Sequence, residues 1–167
     1  LLTDHAELRE RVRFVQIAVP SREDVGAYQE FRAQAEQLVG RINGHFGTPS
    51  WVPVNWIHRG LEREEVVALY RAADVMVVTP LRDGMNLVAK EYVAAKVDGR
   101  GALVLSEFTG AAEQMSQAWL VNPYDIRGMK ATILAALAEP AARANARMQA
   151  LRAGVISDDV TAWSTSF

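Results

Sequence analysis

The run Asp74-Val75-Met76-Val77-Val78 is short, apolar and β-branched, and it halts at Thr79-Pro80 before a second apolar run, Leu87 to Ala94. The first run predicts a buried strand. Pro80 ends it, having no N–H to give to a ladder. Gly84 lets the chain turn sharply, and Asn86 is suited to cap a helix from about Leu87. This strand–turn–helix constrains the fold more than any other feature of the chain. It also predicts chemistry, because the N–H groups of Leu87, Val88 and Ala89 would lack intrahelical partners at the positive end of a helix dipole. Phosphate suits such a position. Asp83 lies before the turn and Glu91 about one turn into the helix, and a carboxylate accepts hydrogen bonds from paired sugar hydroxyls. The set fits a sugar nucleotide: diphosphate on the helix start, ribose on one carboxylate and hexose on the other. Spacing alone leaves a second reading open, in which Asp83-Gly84 is an ordinary turn and Lys90 and Glu91 belong to a solvated helix face.

The rest of the chain repeats the alternation. Leu1 to Arg11 reads as the end of a helix, and Arg13 to Val19 as a strand stopped by Pro20. Ser21 is placed to cap a long helix, with Asp24 in capping-box position. That helix carries Val25, Tyr28, Phe31, Ala35, Leu38, Val39 and Ile42 at helical spacing. Asn43-Gly44 and Phe46 to Pro49 read as breakers. Trp51 to Ile57 is a second strand and Arg63 to Ala73 a helix. Lys96 to Gly101 reads as a surface turn, Ala102 to Leu105 as a buried strand, and Gly110 as the start of a short helix. Trp119 to Val121 is the last strand, followed by helices at Asp125 to Leu137, Pro140 to Ala153 and Asp158 to Phe167. Such alternation predicts an α/β fold with a Rossmann-like parallel sheet, helices on both faces, in one domain. Ligands of such sheets bind at the carboxyl ends of the strands. Ser21-Arg22, Leu61, the central motif and Glu107 to Gly110 all fall there.

Composition removes several classes of function. The chain has 167 residues, half of them apolar, enough for one domain with a core. Its 18 basic residues against 20 acidic ones argue against a nucleic-acid surface. The absence of cysteine excludes disulfides, thiolate metal sites and cysteine nucleophiles. Three scattered histidines, His5, His45 and His58, make a metal cluster an unpromising reading. No apolar run is long enough for a bilayer and no signal peptide opens the chain, so a cytoplasmic location is expected. Trp51, Trp56, Trp119 and Trp163 are expected in the core or at domain contacts.

The segment from Thr79 to Ala94 closely resembles the donor-site motif of the trehalose-6-phosphate synthases, retaining glycosyltransferases with two Rossmann-like domains facing a cleft. The resemblance continues in Val15 to Arg22, Leu38 to Gly47, Leu103 to Ala112 and Val121 to Asp125. It implies that residues 1–167 are part of the C-terminal, nucleotide-sugar-binding domain, without the N-terminal domain and the start of this one. It further implies that the backbone of Leu87, Val88, Ala89 and Lys90 meets the diphosphate and that Glu91 holds the ribose. Asp83 would hold glucose hydroxyls as the catalytic carboxylate, with Gly84 in the turn and the backbone of Met85 and Asn86 assisting. Leu61 falls beside the nucleobase, and Arg22 matches an arginine that binds the acceptor's phosphate, a task suited to a planar guanidinium.

The reaction so implied joins glucose from UDP-glucose (or ADP- or GDP-glucose) to glucose 6-phosphate with retention, giving α,α-trehalose 6-phosphate, with no metal and no cofactor. The resemblance leaves homo-oligomers open. One departure stands out: an Arg-Leu-Asp-Tyr-x-Lys-Gly-like motif, which supplies an Arg and a Lys to the diphosphate in the family, does not occur here. Two alternatives stay open: a related glycosyltransferase with another acceptor, and a catalytically inactive synthase-like regulatory module. Arg82 reads as a solvated residue or an ion-pair partner of Asp74, and Glu107 as a helix cap.

Overall fold

The computed structural model describes residues 1–20 and 26–157. The chain forms two compact units, Leu1–Glu62 and Arg63–Phe167. In the first, strand β1 (Phe14–Ile17) and strand β2 (Val54–Ile57) pair in parallel, Phe14 opposite Val54 and Ile17 opposite Ile57. Helix α1 (Gly26–Phe46) is the crossover that parallel pairing requires. The expected cap at Ser21, with Asp24, lies outside the described residues, as does Arg22.

Two expectations for this unit are corrected. Leu1 to Arg11 is not the end of a helix but a set of turns with a single 3-10 turn at Ala6–Leu8. Arg9 is extended (φ −62°, ψ 140°) and Glu10 left-handed (φ 63°), and no helix runs through either. Asn43-Gly44 does not break α1, which continues to Phe46. The Asn43 side chain instead links helix and strand: Nδ2 donates to the Val54 carbonyl at 2.8 Å, and Oδ1 accepts from the Val54 N–H at 3.0 Å. The helix stops at Gly47, where a Cβ would strike the Asn43 carbonyl. Trp51 is buried as expected, its Nε1 donating to the Val12 carbonyl at 3.0 Å. Trp56 stacks on His58, ring centroids 6.5 Å apart.

The second unit contains α2 (Arg63–Ala72), β3 (Val75–Val78), α3 (Leu87–Ala95), β4 (Ala102–Ser106), α4 (Ala111–Gln114), β5 (Trp119–Val121), α5 (Ile126–Ala138) and α6 (Ala141–Ser157). Its sheet is parallel throughout, in the order β3-β4-β5. Every residue of the central strand β4 is buried, which is why Ala102 to Leu105 is a continuous apolar run rather than an alternating one. Its side chains still divide by the period of two. Leu103 and Leu105 join a core with Tyr92 and Val93 of α3, Met115, and Met148 and Leu151 of α6. Ala102 and Val104 pack with Val121 and with Ala136, Met129 and Ile133 of α5. Helices therefore cover both faces of this sheet, as the sequence predicts. Asp125 caps α5, its Oδ1 accepting from the Gly128 N–H at 3.0 Å. The tail from Asp158, including Trp163, lies outside the described residues.

The turn from Lys96 to Gly101 differs from expectation, because Lys96 is not at the surface. Only 3% of it is exposed, and its ammonium donates to the carbonyls of Arg71 (2.9 Å) and Ala73 (2.8 Å). Those carbonyls end α2, the negative pole of its dipole, which a cation satisfies. Burial pulls the Lys96 pKa down, while Asp98 and Asp74 oppose the shift. Gly101, at φ 95°, closes the pocket, since a Cβ there would lie 2.5 Å from the Tyr92 hydroxyl. Trp119 lies under the Arg147 guanidinium at 4.6 Å, and Arg147 also donates to the buried Glu139 carboxylate at 2.9 Å. Replacing Lys96 by Met keeps the stem but removes the donor to the Arg71 carbonyl and leaves the Ala73 carbonyl only the long 3.5 Å bond from the Tyr92 hydroxyl. The full-length protein should lose about 1–3 kcal/mol of stability, read as a lower urea midpoint. An unchanged midpoint would show that water reaches those carbonyls.

Candidate functional site

Strand β3 ends where Thr79 and Pro80 leave the sheet, and seven residues later α3 begins at Leu87, as expected from the sequence. Asn86 is the N-cap: its Oδ1 accepts from the Ala89 N–H at 2.8 Å, and its backbone is left-handed (φ 74°). Asn tolerates that conformation better than most side chains. The Lys90 N–H is the first that helix geometry directs four residues back, to Asn86. The amides of Leu87 and Val88 therefore face outward, on residues whose side chains are themselves exposed.

Asp83 is half-buried and its carboxylate holds the turn. Oδ1 accepts from the Met85 N–H at 3.1 Å, and Oδ2 accepts from the Asn86 Nδ2 at 2.9 Å. Asn86 thus accepts on one side and donates on the other, linking Asp83 to the helix start. Each carboxylate oxygen keeps a second lone pair for a ligand.

The sharp turn does not depend on Gly84 in the way the sequence suggests. Its φ is not positive, and a Cβ added there would meet nothing within 4 Å. The glycine that matters is Gly110, in the loop between β4 and α4, where a Cβ would collide with the Gly84 carbonyl. This loop runs beside the motif and is hydrogen-bonded to it. Asp83 donates its N–H to the Phe108 carbonyl (3.2 Å), Gly110 to Asp83 (3.1 Å), and Ala111 to Met85 (2.9 Å). The neighbouring loop is held from beneath by the fully buried Ser106, whose Oγ accepts from the Phe108 N–H at 3.2 Å. Buried Thr109 adds its Oγ1–H to the Ser106 carbonyl at 3.0 Å. Glu107 does not cap α4, whose N-cap is Gly110 without a side-chain bond.

Glu91 is exposed on α3, and its Oε2 accepts from the Tyr70 hydroxyl at 3.2 Å. Tyr70, on α2, is 7% exposed and meets Tyr92 edge to face, centroids 6.2 Å apart. Burial, with the Glu91 charge and the hydrogen bond to it, pushes the Tyr70 hydroxyl up to about 12. Lys90 is half-buried beside it. Arg82 is exposed and lines an open depression of about 370 Å³ with Leu81, Phe108 and Tyr124. It forms no ion pair with Asp74, because the two flank opposite ends of β3. Leu61 is half-buried in the loop after β2, in the first unit, whereas residues 83–91 all belong to the second. Among the described residues there is no group of three or more side chains placed to hold a metal ion. No helix among them is long and apolar enough to cross a membrane.

A parallel α/β fold carrying a capped, carboxylate-flanked helix start at a strand's carboxyl end is the class of protein these observations define. The chain belongs to glycosyltransferase family 20, which it matches over residues 1–167. It is 51% identical to the trehalose-6-phosphate synthase of Mycobacterium avium over 167 residues, all of this chain but 34% of that protein. It superposes with a TM-score of 0.95 and 46% identity on the UDP-forming α,α-trehalose-phosphate synthase of Burkholderia xenovorans in complex with glucose-6-phosphate, covering 99% of this chain and 37% of that one. The Escherichia coli synthase bound with UDP-2-fluoro glucose gives 0.95 at 41% identity, covering 99% and 37%. The chain spans about a third of the length of the curated relatives it matches.

Two contrasts test this geometry in the full-length protein. Gly110→Ala should cost about 1–3 kcal/mol of stability, since backbone rather than a mobile side chain must give way. Gly84→Ala should stay within about 0.5 kcal/mol of the parent, as an open surface site does. Urea unfolding of both variants checks this, and equal costs would contradict the glycine assignment. Above pH 10 the unfolded chain releases its tyrosine protons while folded Tyr70, at about 12, keeps its own. The folded state then binds more protons, so stability present below pH 10 declines as pH rises towards 12. Tyr70→Phe should make the fall shallower in unfolding curves taken across that range.

Proposed function

We propose that the full-length protein transfers glucose from UDP-glucose to glucose 6-phosphate, forming α,α-trehalose 6-phosphate with retention at the donor carbon. The observation that carries this reading is the helix start at Leu87, with outward amides between the Asp83 and Glu91 carboxylates. The ligands in the two solved synthases, a UDP-glucose analogue and glucose-6-phosphate, agree with it. The donor diphosphate lies on the amides of Leu87 and Val88, with Ala89 and Lys90 completing the same turn. Glu91 takes the ribose hydroxyls, and Leu61 lies beside the base. Asp83, Met85 and Asn86 hold the glucose, and Arg22 takes the acceptor phosphate. Residues 1–167 act as part of the C-terminal donor-binding domain, and the protein works in the cytoplasm.

The mechanism follows from charge. As the glycosidic bond breaks, negative charge gathers on the departing diphosphate and positive charge on the sugar ring. Amides fixed at a helix start need no reorganisation to stabilise the first. Asp83, held by Met85 and Asn86, orients the hexose so that the acceptor oxygen meets its anomeric carbon. The acceptor hydroxyl passes its proton to the departing diphosphate oxygen as its own oxygen bonds to the anomeric carbon, and UDP leaves.

The two carboxylates should show different ligand signatures. Glu91→Ala in the full-length protein should weaken UDP by roughly 1–3 kcal/mol. Asp83→Ala should leave UDP near normal yet weaken UDP-glucose and slow transfer, because UDP carries no hexose. Titration calorimetry of each folded variant reads the difference, and equal loss of UDP by both would contradict the assignment. Arg22→Ala should raise the KM for glucose 6-phosphate with little effect on UDP, by an amount equivalent to about 1.5–3 kcal/mol. A matching fall in donor affinity would remove Arg22 from the acceptor site.

A further inference from the structure

Tyr70 is buried, its hydroxyl donates to one oxygen of an exposed carboxylate, and it has no part in the proposed reaction. Tyr70 sits on α2 and Glu91 on α3, two helices packed against each other, and the bond between them is 3.2 Å. The tyrosine ring cannot follow a moving carboxylate, because it is 7% exposed and wedged edge-on against Tyr92, itself fully buried. The hydroxyl is therefore a fixed donor and the carboxylate the mobile partner. A Glu side chain on a helix surface otherwise samples many rotamers, and ordering it on ligand binding lowers affinity.

We propose that Tyr70 is a positioning residue for nucleotide binding, anchoring Oε2 of Glu91 so that the carboxylate is already turned to receive the 2′- and 3′-hydroxyls of ribose. The inference rests on the reading of Glu91 as the ribose carboxylate. Tyr70 uses one lone pair of Oε2 and leaves the other, with both on Oε1, for the diol. A phenol is protonated across the neutral range even at its ordinary pKa of about 10, so the anchor donates at any working pH. The consequence is selectivity for a diol over a deoxy sugar, arising from a residue that does not touch the nucleotide.

Two nucleotides and two variants of the full-length protein test this. UDP and 2′,3′-dideoxy-UDP share base and diphosphate but differ in the diol. The unaltered protein should prefer UDP, and Glu91→Ala should abolish that preference. Tyr70→Phe retains the ring and should weaken UDP roughly tenfold while leaving dideoxy-UDP unchanged, with a raised KM for UDP-glucose and an unaltered KM for glucose 6-phosphate. Normal binding of dideoxy-UDP also shows that the variant is folded. Equal weakening of both nucleotides would make Tyr70 a general support of the fold and overturn the proposal, as would unchanged binding of UDP. If the unaltered protein bound both nucleotides equally, the ribose reading of Glu91 would fall first and this inference with it.

Discussion

The close approach of Gly110 to the Gly84 carbonyl sets how the turn after β3 can lie. Neighbouring parallel strands are only about 5 Å apart, so loops leaving their carboxyl ends must either diverge or touch. Here they touch, and three backbone hydrogen bonds between the Asp83 to Met85 stretch and the Phe108 to Ala111 stretch make the contact specific. A side chain at Gly110 would push the loops apart. Asp83 would then lose its place beside the start of α3. The position of the catalytic candidate is thus fixed from the adjacent strand, through Ser106 and Thr109, which are buried polar residues with their hydrogen bonds satisfied within the loop.

Much of this was legible in the chain because the signals are local. Val75 to Val78 and Trp119 to Val121 are strands of the extent their apolar runs predict, and Asn86 caps α3 by the interaction its type and position suggest. What was not legible depends on partners distant in sequence. Gly110 reads as a helix start, yet its lack of a side chain is required by a carbonyl twenty-six residues earlier. Lys96 reads as a surface cation because nothing near it in sequence reveals the two carbonyls at the end of α2 that it satisfies. Tyr70 fits an apolar helix face so well that its hydroxyl goes unnoticed until α2 lies beside α3. The Asn43-Gly44 pair misleads for a related reason. Asn43 has both side-chain groups engaged by Val54, and that tertiary bond outweighs a weak helix propensity.

Both carboxylates of the candidate site are already engaged within the protein, Asp83 by Met85 and Asn86, Glu91 by Tyr70. Internal partners of this kind look at first like competition for the ligand. The lone-pair count argues otherwise, since a carboxylate has about four acceptor directions and these bonds use two of them at Asp83 and one at Glu91. A carboxylate with no partner would have to be ordered when the sugar arrives, and that cost would subtract from binding. Holding it beforehand moves the cost to folding, where the core around Tyr92, Leu103 and Leu105 supplies the rigidity. Exposed oxygens on a fixed frame then meet hydroxyls at one geometry only. On the proposed reading, such a site would distinguish sugars by the direction of their hydroxyls and not merely by their presence, as a transferase that must orient a hexose for attack requires.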